Sequence, residues 1–233
     1  MTLAALLLAS ALLAPPANVP VELYFVRHGQ TVSNATGRYN AAGLNKLTAT
    51  GEKQAQAVAK ALAGIRFDAA FVSPSLRAEI TAAPTLRQHR MVAFIAPEFN
   101  ECCTEHGAAR RRPASRRLPM DGPAKAPASL GGLVQVDPMN SRLYAPANYA
   151  DGMLQVSVAA ERTRALLRHV QKSQGVFREL IVGHSAQGAR FLDLMLGRKP
   201  TPDIELKNGV IVVLRAEVGQ PFRLVRKIEN PYR

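Results

Sequence analysis

The chain has 233 residues, of which 47% are hydrophobic and 20% are charged. This composition excludes a globally disordered protein and is sufficient for one domain with a core. The formal net charge is +13, which suits nucleic acid, an acidic membrane or an anionic small substrate. The sequence contains no zinc finger, aromatic RNA-binding signature or repeat, so we expect no specific nucleic-acid partner. The two cysteines, Cys102 and Cys103, are adjacent and predict no disulfide framework.

The first residues form an apolar run from Leu3 to Ala14. This run is too short to cross a bilayer comfortably, but it resembles the apolar region of a signal peptide and is followed by small residues. We therefore interpret residues 1–19 as a signal peptide or a disordered leader, which favours the secretory pathway over the cytoplasm. We expect no stable membrane span, and we interpret residues 20–233 as a single domain.

Strand and helix patterns alternate after this leader. Apolar runs predict strands at 21–26, 67–74, 91–99 and 179–185, and a closing pair of strands at 209–218 and 222–228. Helical spacing predicts helices at 48–64, 75–88, 151–173 and 186–197. Residues 100–150 are rich in Pro, Gly and Arg, which predicts an irregular insertion. The alternation predicts an α/β fold, a three-layer sandwich whose mostly parallel central sheet carries helices on both faces.

Basic side chains follow three of the predicted strands. Arg27 and His28 follow the first strand, Arg77 follows the second, and His184 follows the apolar part of the fourth, "ELIV". Because ligands of open α/β sheets bind beyond the carboxyl ends of the strands, we expect these four side chains to converge. A neutral imidazole is a competent nucleophile toward phosphorus, and arginine forks match phosphate oxygens. The set predicts phosphoryl transfer on a small phosphorylated substrate without a metal or cofactor.

Four motifs carry a resemblance to a known family: "RHGQT", "LTATGEKQA", "SPSLRAEITA" and "VGHS". In this order they resemble the motifs of the histidine phosphatase superfamily, the phosphoglycerate mutase-like fold. The resemblance implies that His28 becomes phosphorylated and that His184 is a second catalytic group on the phosphoryl oxygens. It also implies four further side chains that bind or assist at the phosphoryl group: Arg27, Arg77, Thr31 and Asn34. We expect Gly29 to let the phosphate approach the backbone closely.

The leaving group needs a proton, and a water molecule must later lose one; a single carboxylic acid can do both. The family places a glutamate after the third strand, where this chain has Glu98, Glu101 and Glu105. Glu101, in "FNE", best matches the family's pattern of a hydrophobic residue two positions before the acid. We therefore predict Glu101 as the proton donor, with Glu105 and Glu98 as alternatives.

Residues 98–115 also resemble a subgroup of plant and fungal phosphoglycerate mutase-like proteins, in which a basic Arg-Pro-Ser-like stretch follows the glutamate. That resemblance implies that one or more of Arg110, Arg111 and Arg112 contacts an anionic substrate. A solvated charge run is the alternative interpretation, and a phosphorylation site at Ser115 is a third.

Two other reaction classes are alternatives to phosphate hydrolysis. True mutases carry an arginine- and tyrosine-bearing run after the glutamate and a tryptophan-rich stretch after the RHG motif. This sequence has neither, which favours a phosphatase. In "VGHSAQGA", Ser185 would be the nucleophile of an α/β-hydrolase, but Gln187 occupies the position of the second glycine and no histidine follows His184. We therefore predict a metal-independent phosphomonoester hydrolase with a phosphohistidine intermediate. A mutase-type phosphotransferase or a phosphate-binding pseudophosphatase is the alternative.

Overall fold

The computed structural model describes residues 18–39, 41–101, 128–136, 152–170, 174–200 and 206–232. Its strands are β1 (Val21–Arg27), β2 (Ala69–Val72), β3 (Ala93–Ile95), β4 (Val134–Val136), β5 (Phe177–Gly183), β6 (Ile211–Ala216) and β7 (Arg223–Ile228). Its α-helices are α1 (Val32–Thr36), α2 (Ala41–Leu44), α3 (Ala49–Leu62), α4 (Leu76–His89), α5 (Gly152–Arg168) and α6 (Ala186–Met195). No helix in these ranges is long and apolar enough to cross a membrane.

The seven strands form one sheet in the order β4-β3-β2-β5-β1-β6-β7. The first five of these strands are parallel to one another, whereas β6 is antiparallel to β1 and β7 is antiparallel to β6. The predicted, mostly parallel sheet is therefore confirmed. The carboxyl ends of β1, β2 and β5 lie side by side, which brings the loops after these three strands to one edge.

The sheet is buried on both faces because successive side chains of its central strands point to opposite sides. On one face, Phe25 and Ile181 pack in a cluster with residues of α5 and α6, including Phe191. On the other face, Val26 and Val182 pack with residues of α3 and α4. A continuous apolar run such as that of β1 or β5 is what a strand covered on both sides requires. The three-layer α/β sandwich predicted from the sequence is confirmed.

Two local features differ from the predicted elements, whereas the helix predicted at 75–88 is present as α4. The third strand is limited to β3, because the chain turns into a short 3-10 helix at Pro97–Phe99. Part of the predicted irregular insertion, Val134–Val136, is strand β4 and pairs in parallel with β3. Helix α4 continues through Pro84, whose missing N–H removes one hydrogen bond of the helix; the alanines of its buried face pack against the sheet.

Several predicted features lie outside the described residues. The leader predicted at 1–19 is described only at Asn18 and Val19, and Val19 is buried in the core. The adjacent cysteines and the arginines from 110 to 117 are also outside the described ranges.

Candidate active site

His28 directly follows β1 and is nearly buried, with 3% of its surface exposed. Its Nδ1 lies 2.7 Å from the carbonyl oxygen of Gly29. Because a carbonyl can only accept a hydrogen bond, the proton is on Nδ1 and the lone pair is on Nε2. Burial, and then the charges of Arg77 and Arg27, hold the pKa of this imidazole well below its usual value of 6.5. His28 is therefore neutral at pH 7, with a nucleophilic nitrogen.

The loop that carries His28 packs tightly against the start of α3. The N–H of Gly29 donates to Thr81 Oγ1 at 2.9 Å. A Cβ atom on Gly29 would lie 2.5 Å from the carbonyl oxygen of Gly51, and a Cβ on Gly51 would clash with the carbonyl oxygen of Gln30. Both positions therefore need glycine for backbone packing. Backbone packing is thus one reason for glycine at position 29. The close approach of a phosphate to Gly29 stays a prediction.

Arg77 and His184 contact each other at the same edge of the sheet. Arg77 Nη2 donates to His184 Nδ1 at 3.2 Å, and Arg77 Nη1 donates to Asn45 Oδ1 at 3.1 Å. Because Nδ1 of His184 accepts, its proton is on Nε2, which donates to Ser73 Oγ at 2.7 Å. Burial, Arg77, His28 and Arg27 together hold the pKa of His184 well below its usual value. The rings of His28 and His184 are 5.1 Å apart, centroid to centroid.

The other basic residue, Arg27, ends β1 and is also buried. Its Nη1 donates to the backbone carbonyl of Leu206. Its charge lowers the pKa of both histidines. Burial also lowers the pKa of Arg77, and the nearby carboxylate of Glu101 partly offsets that effect. The structure thus brings together the four basic residues that the sequence predicted to converge.

Thr31 and Asn34 shape the start of α1. Thr31 Oγ1 accepts from the N–H of Asn34 at 3.1 Å, and Asn34 Oδ1 accepts from the N–H of Thr31 at 3.1 Å. This reciprocal pair is a capping box. Asn208 Nδ2 joins it, donating to Asn34 Oδ1 at 3.2 Å and to the carbonyl of His28 at 3.0 Å. The two residues therefore hold the loop after His28, and their assistance to a phosphate stays a prediction.

The three candidate acids lie in different environments. Glu101 Oε1 accepts from the N–H of Gln187, at the start of α6, at 3.2 Å, and its charge acts on Arg77. Glu98 is 1% exposed and its carboxylate forms an ion pair with Arg162 on α5. Glu105 is outside the described residues, as are Arg110, Arg111 and Arg112. Of the candidate acids that the structure describes, Glu101 is the one at the edge of the sheet that carries His28 and His184.

Comparison with known proteins finds similarity to one family. Residues 23–118 match the model of the histidine phosphatase superfamily, branch 1. The matched residues make up less than half of the chain. The plant and fungal subgroup stays a prediction.

Two curated relatives match segments of the chain. It is 37% identical over 81 residues to the adenosylcobalamin/α-ribazole phosphatase of Escherichia coli K12, and this segment is 35% of the chain. It is 40% identical over 68 residues, 29% of the chain, to a 2,3-bisphosphoglycerate-dependent phosphoglycerate mutase of Pseudoalteromonas atlantica. The chain spans 40% and 30% of the length of these relatives.

The fold extends over most of the chain. The crystal structure of the α-ribazole phosphatase from Shigella flexneri superposes with a TM-score of 0.57 and 19% identity. The superposition covers 88% of this chain and 96% of that chain. At this identity the likeness shows a common fold.

Several residues that bind the catalytic candidates were missed by the sequence interpretation: Asn45, Ser73, Gln187 and Asn208. Ser73 directly follows β2, so the strand-end argument that selected His28 could also have selected it. Asn208 lies just before β6, which starts at the edge where β1 ends because the two strands are antiparallel. Asn45 and Gln187 carry no comparable signal, because their contacts depend on how helices pack.

The geometry also disfavours the α/β-hydrolase alternative. Ser185 Oγ donates to the carbonyl of Leu206 at 3.2 Å and accepts from the N–H of the same residue at 2.9 Å. The hydroxyl thus holds the backbone before β6. Neither ring nitrogen of His184 is available to it as a base, because both are engaged by Ser73 and Arg77.

Proposed function

We propose that the chain is a histidine phosphatase, a metal-independent phosphomonoester hydrolase that acts through a phosphohistidine on a small anionic phosphate. The observation that carries the proposal is the state of His28. Its Nδ1–H is held by the carbonyl of Gly29, its pKa is lowered, and two guanidinium groups lie beside it. A neutral nucleophile next to fixed positive charge is what attack on an anionic phosphoryl group requires.

In the first step, the lone pair on His28 Nε2 attacks phosphorus as the bond from phosphorus to the leaving oxygen breaks. The guanidinium groups of Arg27 and Arg77 stabilise the phosphoryl oxygens in the transition state. Glu101, as a carboxylic acid, gives its proton to the leaving oxygen. The products are an alcohol, a phosphorylated His28 and a Glu101 carboxylate.

His184 requires a change of protonation to contact the phosphoryl group as a donor. Its single N–H is directed to Ser73, and its Nδ1 accepts from Arg77. A bound phosphate carries negative charge that opposes the effect of the arginines, so it raises the pKa of His184. The imidazolium then offers Nδ1–H to a phosphoryl oxygen. We infer that His184 is charged only while a phosphate is bound.

In the second step, the Glu101 carboxylate takes a proton from water, and the water oxygen attacks phosphorus. The bond between phosphorus and Nε2 breaks, and inorganic phosphate leaves. Glu101 is again protonated and His28 is again neutral, so the cycle closes without a metal ion or cofactor.

The direct experiment follows phosphate on the enzyme. The wild type should hydrolyse p-nitrophenyl phosphate in the presence of EDTA and, after a quench, carry an acid-labile phosphate from a radiolabelled aryl phosphate. His28→Ala should lose both. His169→Ala, which removes an exposed histidine at the end of α5, should lose neither. Label that persists in His28→Ala would exclude His28 as the nucleophile, and loss of activity with EDTA would exclude the metal-independent mechanism.

The same label separates the alternatives for the reaction. A hydrolase releases it as inorganic phosphate, whereas a mutase returns it to phosphoglycerate, and a pseudophosphatase binds phosphate without turnover. A panel of phosphorylated substrates, tested on the wild type and on a variant with Arg110, Arg111 and Arg112 changed to Ala, addresses selectivity. We expect the variant to lose affinity for the more highly charged substrates, because arginine forks bind additional anionic groups.

A further inference from the structure

Two buried amide side chains from different helices converge on one backbone carbonyl. Gln187 Nε2, on α6, donates to the carbonyl oxygen of Glu98 at 3.0 Å. Gln155 Nε2, on α5, donates to the same oxygen at 3.3 Å and to the carbonyl of Asn100 at 2.5 Å. The segment from Pro97 to Glu101, which we call the acid turn, is therefore bound to two helices that pack behind it.

Gln187 binds the acid turn at two points. Its side chain holds the backbone at Glu98, and its own backbone N–H donates to Oε1 of Glu101 at 3.2 Å. This N–H belongs to the first turn of α6, where peptide N–H groups lack partners within the helix. The two hydrogen bonds span the acid turn from its backbone to the end of its last side chain. They fix where the Glu101 carboxyl lies relative to α6.

Folding stability does not account for the Gln187 amide. The side chain is completely buried, and in the part of the chain that the structure describes its Oε1 has no hydrogen-bond partner. The amide cannot be flipped to exchange Oε1 and Nε2, because the Glu98 carbonyl can only accept a hydrogen bond and must face Nε2. A buried acceptor without a partner is unfavourable, and a leucine of similar size would avoid that cost. What the amide provides, and a leucine does not, is the donor to the acid turn.

We propose that Gln187 is a positioning residue for Glu101, and that its side chain sets the place from which the acid protonates the leaving group. This inference rests on the proposed function. Gln155 supports the same turn, and its hydrogen bond to the Glu98 carbonyl keeps that oxygen partly satisfied when Gln187 is changed.

The test uses leaving groups that differ in their need for a proton. p-Nitrophenolate leaves without protonation, whereas an alkoxide requires it. In Gln187→Leu, kcat/KM for an alkyl phosphate should fall about tenfold more than kcat/KM for p-nitrophenyl phosphate, a fraction of what general acid catalysis contributes. The melting temperature should stay close to that of the wild type. Gln88→Leu is the control for loss of an amide donor between helices away from the acid turn, because Gln88 is exposed and donates to the carbonyl of Ala59 at 3.1 Å.

A second measurement tests whether the effect passes through the acid. In a Glu101→Gln background, Gln187→Leu should change the ratio of alkyl to p-nitrophenyl kcat/KM no further. Equal loss on both substrates, or additive effects in the double variant, would overturn the inference while leaving the proposed function intact. A wild type without phosphatase activity would overturn the proposed function and the inference together. If Gln187→Leu does not fold, Gln187→Met removes the same donor in an unbranched side chain.

Discussion

Ser73→Ala tests the link between His184 and the acid turn. Ser73 is completely buried, and its Oγ accepts from His184 Nε2–H at 2.7 Å and from the N–H of Ser75 at 3.2 Å. It also donates to Asn100 Oδ1 at 3.5 Å. Removing the hydroxyl leaves the buried N–H of His184 without an acceptor. The usual cost of an unsatisfied buried donor predicts a loss of about 1–3 kcal/mol in the free energy of unfolding.

The matched variant is Ser75→Ala. Ser75 Oγ donates to the same Asn100 Oδ1 at 2.8 Å, but it does not contact His184. Its removal should cost about 0.5–1.5 kcal/mol, the net value of an ordinary hydrogen bond. Both variants would be unfolded with urea and compared by their midpoints. If Ser73→Ala loses no more stability than Ser75→Ala, the hydroxyl is not the acceptor that the structure gives to His184.

Ser73→Ala should also lower kcat, because His184 is no longer held in one orientation. A displacement of about 1 Å in a catalytic group can cost about a hundredfold in rate. Nitrogen-15 chemical shifts of the imidazole report its tautomer directly. In the wild type they should show a proton on Nε2 of His184. A wild-type spectrum with the proton on Nδ1 would refute the hydrogen-bond directions inferred for this side chain.

Three further predictions concern buried charge and backbone packing. Burial raises the pKa of Glu179 to about 8 from 4.5, so the folded state retains a proton that the unfolded state releases, and stability falls as the pH rises. Between about pH 5.5 and 7.5 the wild type should lose about 2.5 kcal/mol through this group relative to Glu179→Gln, measured by urea unfolding; a constant difference would contradict it. Gly51→Ala should lower the unfolding free energy by about 3 kcal/mol because its Cβ would clash with backbone, whereas Gly64→Ala, with nothing near its Cβ, should not. Arg77→Met should raise the pKa of His28 in an NMR titration, because a neighbouring positive charge is lost; an unchanged or lower pKa would contradict that cause.

The sequence predicted the central elements of the fold because their signals are local. The apolar runs of β1 and β5 have the length and composition of strands buried on both faces. Helix α3 was predicted from helical spacing and begins after Thr48, whose side chain accepts from the N–H of Gly51. Strand β4 was not predicted, because a three-residue strand has too short a pattern to stand out from a segment rich in Pro, Gly and Arg.

The candidate site also combines features that the local sequence predicts with features that depend on tertiary packing. The sequence by itself determined that His28, Arg77 and His184 follow strands, and parallel pairing of those strands was sufficient to bring them to one edge. Only the tertiary structure decided which groups hold them, because Asn45, Ser73 and Gln187 make contacts between elements that are distant along the chain.

The acids show why the distinction matters. Glu98 and Glu101 are the same residue type and lie three positions apart. The short 3-10 helix nevertheless directs their carboxylates to different partners. One forms an ion pair with Arg162 within the layer of α5, and the other accepts from the first turn of α6. A residue type and its spacing determine what chemistry a side chain can perform. The direction of the backbone at one turn, set by helices packed behind it, decides which of the two acids acts on Arg77.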